Sequence, residues 1–145
     1  MSKTINLQRI KELIPHREPI LLIDEVIDVV EGISATGVKT LKEGDPYFAG
    51  HFPGHPVMPG VLIIEAMAQT CAVIAADSIK AAEGKIVYFT SIESAKFRKV
   101  VVPGDTLHFK VKKIQNKRNL FKFETKAYVG ENLVTEAIVS AMIMM

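Results

Sequence analysis

The sequence has few of the residues that build metal sites, disulfides and nucleotide sites. It contains one cysteine, Cys71, which excludes an internal disulfide and fits a reducing compartment. It has no cysteine cluster and no His-Glu-x-x-His arrangement, so we expect no metal site. Its glycines do not follow the spacing of a dinucleotide-binding or phosphate-binding loop. These absences argue against a metalloenzyme and against a nucleotide-dependent enzyme.

The sequence also lacks a membrane span and a secretory signal. Its longest apolar segment, residues 61–76, is shorter than a span and includes Glu65 and Gln69. The N-terminus shows no basic segment followed by an apolar one. The 145 residues are 48% hydrophobic and 23% charged and show no internal repeat. The chain is therefore predicted to form one domain over residues 1–145, cytoplasmic and without membrane insertion.

The basic residues are concentrated in one segment, although the net charge is only +2. Residues 96–126 contain ten Lys/Arg against Asp105 and Glu124, a formal charge of +8, which leaves −6 for the rest of the chain. One interpretation of this segment is a solvated strand face. The other is a docking surface for an acidic partner, because a field of one sign steers association.

The pattern of apolar residues predicts an α+β fold. Residues 6–14 have helical spacing that ends at Pro15, and residues 59–82, apolar on nearly every side, predict one long buried helix. Strands are predicted at residues 20–30, 33–41, 85–92, 94–99, 106–115, 120–129 and 133–144. We expect a curved antiparallel sheet to wrap around the long helix. Because one sheet has only one inner face, we expect another element or another chain to cover part of that helix, and a homodimer is the economical solution.

The junction between a loop and the long helix carries the residues best suited to chemistry. Residues 50–60 contain two histidines, three prolines and three glycines, so His51 lies in an irregular loop just before a helix start. His51 is either a general base or a loop histidine that hydrogen-bonds the backbone. Glu65 lies further along the helix among apolar neighbours. Since burial disfavours the ionised form of a carboxylic acid, Glu65 is a candidate general acid.

Other residues near this junction have narrower interpretations. The N–H of Gly60, in the first helical turn, has no intrahelical acceptor and could bind a carbonyl or enolate oxygen. Gln69, one turn beyond Glu65, either hydrogen-bonds it or is satisfied by the backbone. Tyr88 is either core or the wall of a pocket. The Phe-Pro-Gly sequence between His51 and His55 excludes a helix that would place both rings on one metal ion.

The segment from His51 to Gln69 closely resembles the active-site segment of the Z-type (3R)-hydroxyacyl-acyl-carrier-protein dehydratases of bacterial fatty-acid synthesis. The resemblance extends along nearly the whole chain through residues 13–17, 21–24, 85–89 and 102–105. The related A-type dehydratase/isomerases carry Asp where this chain has Glu65, and typically Asp where it has His55. Both differences favour the Z-type.

The resemblance implies the hotdog fold, a sheet wrapped around one long helix, and homodimers that commonly assemble into trimers of dimers. It implies that His51 removes a proton from C2 of the hydroxyacyl thioester while Gly60 binds the thioester oxygen. Glu65 of the neighbouring subunit then protonates the departing 3-hydroxyl, which gives water and a trans-2-enoyl thioester. No cofactor is expected, because the thioester itself acidifies C2.

The resemblance also implies a partner, the acyl carrier protein that bears the substrate. This partner is acidic, so Lys96, Arg98 and Lys99 are the docking candidates. Substrate contacts are expected from Val61 and Gln69 beside Gly60, and Tyr88 matches a tyrosine that gates the acyl tunnel in some members. The reaction serves fatty-acid elongation and the supply of unsaturated fatty acids and lipid A precursors.

Two other functions fit the sequence less well. One is a hotdog thioesterase, in which Glu65 would activate water against the same thioester. The other is a non-catalytic regulator that binds acyl thioesters and uses its basic segment for nucleic acid. Residues 96–126 show no recognition-helix pattern, so we expect no nucleic-acid partner.

Overall fold

The computed structural model describes residues 3–145 and contains a seven-stranded sheet and two α-helices. The elements in chain order are β1 (Lys3–Ile5), α1 (Leu7–Leu13), β2 (Glu25–Val30), β3 (Ser34–Thr40), α2 (Gly60–Ser78), a 3₁₀ turn (Lys80–Ala82), β4 (Val87–Phe97), β5 (Thr106–Lys117), β6 (Leu120–Val129) and β7 (Asn132–Ile143). Neighbouring strands follow the order β1-β2-β3-β5-β6-β7-β4, and all pairs are antiparallel. The predicted antiparallel α+β architecture is therefore confirmed.

The short helix α1 starts and stops where the sequence predicts. The side chain of Asn6 caps it by accepting a 2.9 Å hydrogen bond from the N–H of Arg9. Its apolar face buries Ile10 and Leu13. Pro15 follows the C-cap residue Ile14 and prevents the helix from continuing.

The long helix α2 is the centre of the core and contacts β2, β3, β5, β6 and β7. Every residue from Ala66 to Ala76 is buried. Gly37 on β3 allows a close approach, since a Cβ there would lie 2.2 Å from Oγ1 of Thr70. Helix α2 is the one helix among residues 3–145 with the length and hydropathy of a membrane span, and most of it is buried against the sheet.

The inner face of the sheet follows the predicted alternation. On β5, Leu107, Phe109 and Val111 are buried, whereas Lys110 and Lys112 between them are exposed. The tight turn after β6 contains Gly130, whose φ of +59° is readily adopted by glycine. Period-2 patterning thus orients this part of the sheet.

Several predicted boundaries are wrong. The strands predicted at 85–92 and 94–99 form the single strand β4, in which Ser94 adopts a φ of +54° and the pairing with β7 shifts register between Glu93 and Lys96. This irregularity interrupts the sequence alternation without ending the strand. The first strand of the β2–β3 hairpin begins at Glu25 rather than at residue 20, and β1 was not predicted.

Apolar side chains are left exposed along β4 as well as at Val61 in the first turn of α2. The sequence predicts that another element or another chain covers part of the helix, and elements of the same chain bury Ala66 to Ala76. Strand β4 is the last strand of the sheet and has no neighbour on its outer side within residues 3–145. Its Tyr88, Ile92 and Phe97 are 56%, 47% and 54% exposed. A partner is thus indicated by the sheet edge.

Candidate active site

The loop before α2 is folded by its own backbone. The N–H of His51 donates to the carbonyl of Phe48 at 3.0 Å, and the N–H of Val57 donates to the carbonyl of His51 at 2.7 Å. The N–H of Met58 donates to the carbonyl of Val101 at 2.7 Å, and the Met58 side chain is buried. These contacts hold the prolines and glycines of residues 50–60 in one conformation beside the helix start.

The His51 ring has a defined tautomer. Its Nδ1 lies 2.9 Å from the carbonyl oxygen of Val57, and a carbonyl can only accept a hydrogen bond. Nδ1 therefore carries the proton of the neutral ring, which leaves a lone pair on Nε2. The two sequence interpretations of His51 are compatible, since the backbone contact is what orients the second nitrogen as a base.

The first turn of α2 presents two free amides. The N–H groups of Leu62 and Ile63 both donate to the carbonyl of Pro59, whereas those of Gly60 and Val61 have no acceptor within residues 3–145. The Phe97 ring packs so closely on this turn that a Cβ at residue 60 would lie 2.5 Å from it. A side chain at this position would therefore displace the Phe97 ring or the helix start, and the Gly60 amide lies at the positive end of the helix dipole.

A cleft of about 390 Å³ brings much of the predicted site together. Its lining includes His51, Gly60 and Val61 together with Arg98 and Lys99. These two basic residues are held at the cleft by polar contacts, Arg98 to Glu136 at 2.7 Å and Lys99 to Asn132 at 3.0 Å. The third docking candidate, Lys96, is exposed on β4 and does not line this cleft.

Glu65 is held by Gln69, and the contacts of Gln69 define both side chains. The N–H of Leu22 donates to Gln69 Oε1 at 2.8 Å, and Gln69 Nε2 donates to the carbonyl of Ile20 at 2.7 Å. The amide orientation is thus settled by one backbone donor and one backbone acceptor. The second N–H of Nε2 then donates to Glu65 Oε2 at 2.8 Å. Both interpretations of Gln69 hold: it satisfies the backbone and also contacts the acid.

The electrostatics of Glu65 include a residue to which the sequence assigned no role. His16 Nε2 lies 3.8 Å from Glu65 Oε2. Burial lowers the pKa of His16, the nearby charge of Arg17 lowers it further, and the Glu65 carboxylate opposes both. The Glu65 side chain is 25% exposed, so it is less buried than its apolar neighbours predict. His16 lies in residues 13–17, one of the segments that resemble the dehydratase family. That resemblance was the one feature of the sequence that could have pointed to it.

His51 and Glu65 do not meet within one chain. Glu65, His16 and Gln69 line a separate pocket of about 30 Å³, against the small side chains of Ala68 and Ala72. Its lining includes neither His51 nor Gly60. Each chain therefore carries two separate groups, named here after the roles that the sequence predicts: the base half-site, defined by His51, Gly60 and Val61, and the acid half-site, defined by Glu65, Gln69 and His16.

Three other predicted residues lie away from these half-sites or are inert. Tyr88 is exposed, and its strand neighbours Val87 and Phe89, rather than Tyr88 itself, line the acid pocket. Cys71 is buried in the core, where burial raises the pKa of its thiol. His55 is exposed in the loop. Residues 3–145 contain no group of three His, Cys, Asp or Glu side chains placed to hold a metal ion.

The sequence matches one family model over most of its length. Residues 14–138 match the FabA-like domain, a range that includes both half-sites. The chain belongs to the FabA-like family. Curated relatives narrow the assignment further. The 3-hydroxyacyl-[acyl-carrier-protein] dehydratase FabZ of Rhodospirillum rubrum is 51% identical over 142 residues, which cover 97% of this chain and 89% of the relative. FabZ of Gluconobacter oxydans is 50% identical over 145 residues, 99% of this chain and 86% of the relative.

These relatives confirm the predicted FabZ-type assignment. Solved structures confirm the hotdog fold. The dehydratase heterocomplex ApeI:P of Xenorhabdus doucetiae has a TM-score of 0.82 at 16% identity and covers 94% of this chain and 91% of its own. A hypothetical thioesterase with coenzyme A from Streptococcus pneumoniae has a TM-score of 0.60 at 11% identity, over 82% of this chain and 84% of its own. At these identities the likeness concerns the fold alone.

Proposed function

We propose that this FabZ-type enzyme dehydrates (3R)-hydroxyacyl-acyl-carrier-protein to the trans-2-enoyl thioester, with His51 as base, Glu65 as acid and Gly60 as oxyanion donor. The relatives are named for this reaction at about 50% identity over nearly the full chain. The observation that carries the residue roles is the tautomer of His51, whose bond to Val57 leaves Nε2 free beside the amide of Gly60.

The base half-site provides the first step. Nε2 of His51 takes the proton from C2 of the substrate, and the electron pair moves toward the thioester oxygen. The amides of Gly60 and Val61 line the same cleft and have no hydrogen-bond partner within residues 3–145. Their N–H groups therefore stabilise the negative charge that develops on the thioester oxygen. The helix dipole of α2 has the same stabilising sign at this end.

The acid half-site completes the elimination. Glu65 Oε2 accepts the hydrogen bond of Gln69, so the acid proton is placed on Oε1. That proton goes to the 3-hydroxyl as the C3–O bond breaks, which releases water and leaves Glu65 as a carboxylate. The electron pair from C2 forms the new double bond, and the proton on His51 returns to Glu65 through solvent.

The separation of the two half-sites supports an active site shared between two chains. Strand β4 is a free sheet edge with exposed Tyr88, Ile92 and Phe97, and its Phe97 packs on Gly60 of the base half-site. Pairing β4 with β4 of a second copy would cover this edge and bring each His51 toward the partner copy's acid half-site. Three such dimers would form the predicted trimer of dimers, and Tyr88 would then lie at the covered interface.

The partner is the acyl carrier protein, and the reaction takes place in the cytoplasm. Arg98 and Lys99 line the cleft that contains His51, where they would meet the acidic carrier as its acyl arm enters. Lys96 lies near the end of β4, just before Arg98 and Lys99 in the chain, and adds to this basic surface. We place the reaction in fatty-acid elongation, with unsaturated fatty acids and lipid A precursors as its further products.

Single substitutions test the roles of the two side chains. His51→Ala and Glu65→Gln are each expected to lower kcat for dehydration of hydroxyacyl carrier protein by roughly 100- to 10,000-fold. The products separate elimination from hydrolysis, because an enoyl thioester means dehydration whereas free acid and thiol mean a thioesterase. Parent-like dehydration by either variant would contradict the assignment.

Mixed dimers test the shared site. Co-expression of His51→Ala and Glu65→Gln chains creates dimers with one intact and one doubly defective site if the site spans two subunits. Equal, random mixing should then restore about a quarter of the parent rate. A mixture as inactive as each variant alone would place both residues of a site in one chain.

A further inference from the structure

We infer that His16 is a positioning residue for Glu65: its neutral ring directs an N–H toward Oε2, so that Oε1 carries the proton delivered to the substrate. This inference rests on the proposed function, because it takes Glu65 as the acid. His16 lies in the segment between α1 and β2, 49 residues before Glu65 in the chain. The proton transfers proposed above do not involve His16.

The two ring nitrogens of His16 have different surroundings. Nε2 lies 3.8 Å from Glu65 Oε2, whereas Nδ1 is buried and has no hydrogen-bond partner within residues 3–145. Nδ1 lacks a partner whether it is protonated or not, so the surroundings of Nε2 decide the tautomer. A lone pair on Nε2 would face the lone pairs of Glu65 Oε2. A proton on Nε2 faces an acceptor. The geometry therefore favours the neutral tautomer with its proton on Nε2 and disfavours the imidazolium, which needs both protons.

A neutral His16 suits an acid that must keep its proton. Burial and the charge of Arg17 lower the pKa of His16, in agreement with the geometric argument. The charged groups that act on the ring are Arg17 from its own segment and Glu65 from α2. An imidazolium at this position would place a positive charge beside Glu65, whereas the neutral ring offers its N–H without that charge.

Gln69 and His16 together distinguish the two oxygens of Glu65. Oε2 accepts from Gln69 at 2.8 Å and faces the N–H of His16, which leaves Oε1 as the oxygen able to bear a proton. At 3.8 Å the His16 contact is longer than a hydrogen bond, so the inference requires it to shorten when a substrate binds. The pocket beside them, about 30 Å³, has room for a group the size of the leaving water.

Three substitutions of His16 separate positioning from packing. The amide N–H of glutamine reaches the place of Nε2, that of asparagine reaches the place of Nδ1, and leucine offers no donor. We expect His16→Leu and His16→Asn to lower kcat roughly 10- to 100-fold with KM changed less than about twofold, and His16→Gln to stay within about fivefold of the parent. Rates are measured per folded protein, with thermal midpoints recorded for every variant.

Matched controls make every outcome informative. His108→Gln changes a histidine that lines neither half-site and should leave kcat at the parent value. If His16→Leu fails to fold, the comparison of His16→Gln with His16→Asn carries the test. Equal loss in those two variants, or parent-like kcat in His16→Leu, would overturn the inference. Parent-like dehydration by Glu65→Gln would instead overturn the proposed function.

Discussion

The base and acid half-sites are held by different parts of the molecule. In the base half-site, a backbone carbonyl of the same loop orients His51, and the ring opens onto a cleft of about 390 Å³. In the acid half-site, the side chain of Gln69 orients Glu65 beside a pocket of about 30 Å³. His51 thus lies in a loop and opens onto a cleft, whereas Glu65 lies on the central helix α2 and faces a small pocket.

This contrast agrees with the roles that we propose for the two groups. In the proposed mechanism the base meets a long substrate arriving on a carrier protein, which favours an open approach and a rigid backbone. The acid delivers its proton to the departing hydroxyl, which favours the smaller pocket. Gln69 also binds the backbone of Ile20 and Leu22, so one buried side chain connects Glu65 to a distant segment, whereas the His51 ring is held by one carbonyl of its own loop.

Replacing Gln69 should give the largest effect on stability and break the acid half-site. Gln69→Leu leaves the N–H of Leu22 and the carbonyl of Ile20 without partners, which should lower the free energy of unfolding by about 2–4 kcal/mol. Dehydration should fall as well, because Glu65 loses its donor. Urea unfolding and steady-state kinetics measure the two losses. Stability unchanged from the parent would show that acid positioning and folding are separate.

Replacing Gly60 should damage the base half-site with little loss of stability. A Cβ there lies 2.5 Å from the exposed Phe97 ring, so the ring or the helix start has to move. We expect Gly60→Ala to lower kcat/KM roughly 100-fold by displacing the oxyanion donors, and to change the unfolding free energy by less than about 1 kcal/mol.

Two further variants control the Gly60 experiment. Gly44→Ala adds the same methyl group where nothing lies within 4 Å and should leave kcat/KM unchanged. Adding Phe97→Ala to Gly60→Ala should recover part of the lost rate, since it removes the clash. A double variant no better than Gly60→Ala would mean that the methyl group acts by some route other than Phe97.

The pH dependence of stability should report on His16. The folded pKa of His16 is lowered from its ordinary value of 6.5, so the unfolded chain binds a proton there that the folded chain does not. Its contribution to stability is complete above pH 6.5 and is lost as the pH falls from there through the folded pKa. Urea midpoints between pH 8 and pH 5 should therefore fall less steeply for His16→Gln. A slope identical to the parent would contradict a buried, neutral His16.

The smallest effect is expected at Cys71, which is buried close to the acid half-site. Burial raises the pKa of its thiol, so little thiolate is present at neutral pH and little of the side chain is accessible. Iodoacetamide should therefore leave activity unchanged and label the thiol only after denaturation, as mass spectrometry would show. Rapid labelling of the native enzyme would indicate that the core behind Glu65 opens.

The sequence predicted the features that depend on short stretches of chain. The extent of α1, the alternation on β5 and the helix start beside His51 arise within a few residues and are as expected. The partners of Gln69 were beyond reach, since its backbone contacts lie 47 and 49 residues earlier in the chain. The interruption at Ser94 was predicted as a strand end because an irregularity within a strand and a turn both break the alternation of apolar and polar residues.

The free edge of β4 also makes the concentration of the chain a property that matters. Within residues 3–145, the eleven residues of β4 have no strand on their outer side, and Tyr88, Ile92 and Phe97 are exposed along it. Such an edge can pair with an extended segment of a second copy or of an unfolded neighbour. If two copies pair there as we propose, pairing competes with aggregation, and solubility and activity should rise together with the concentration of the chain.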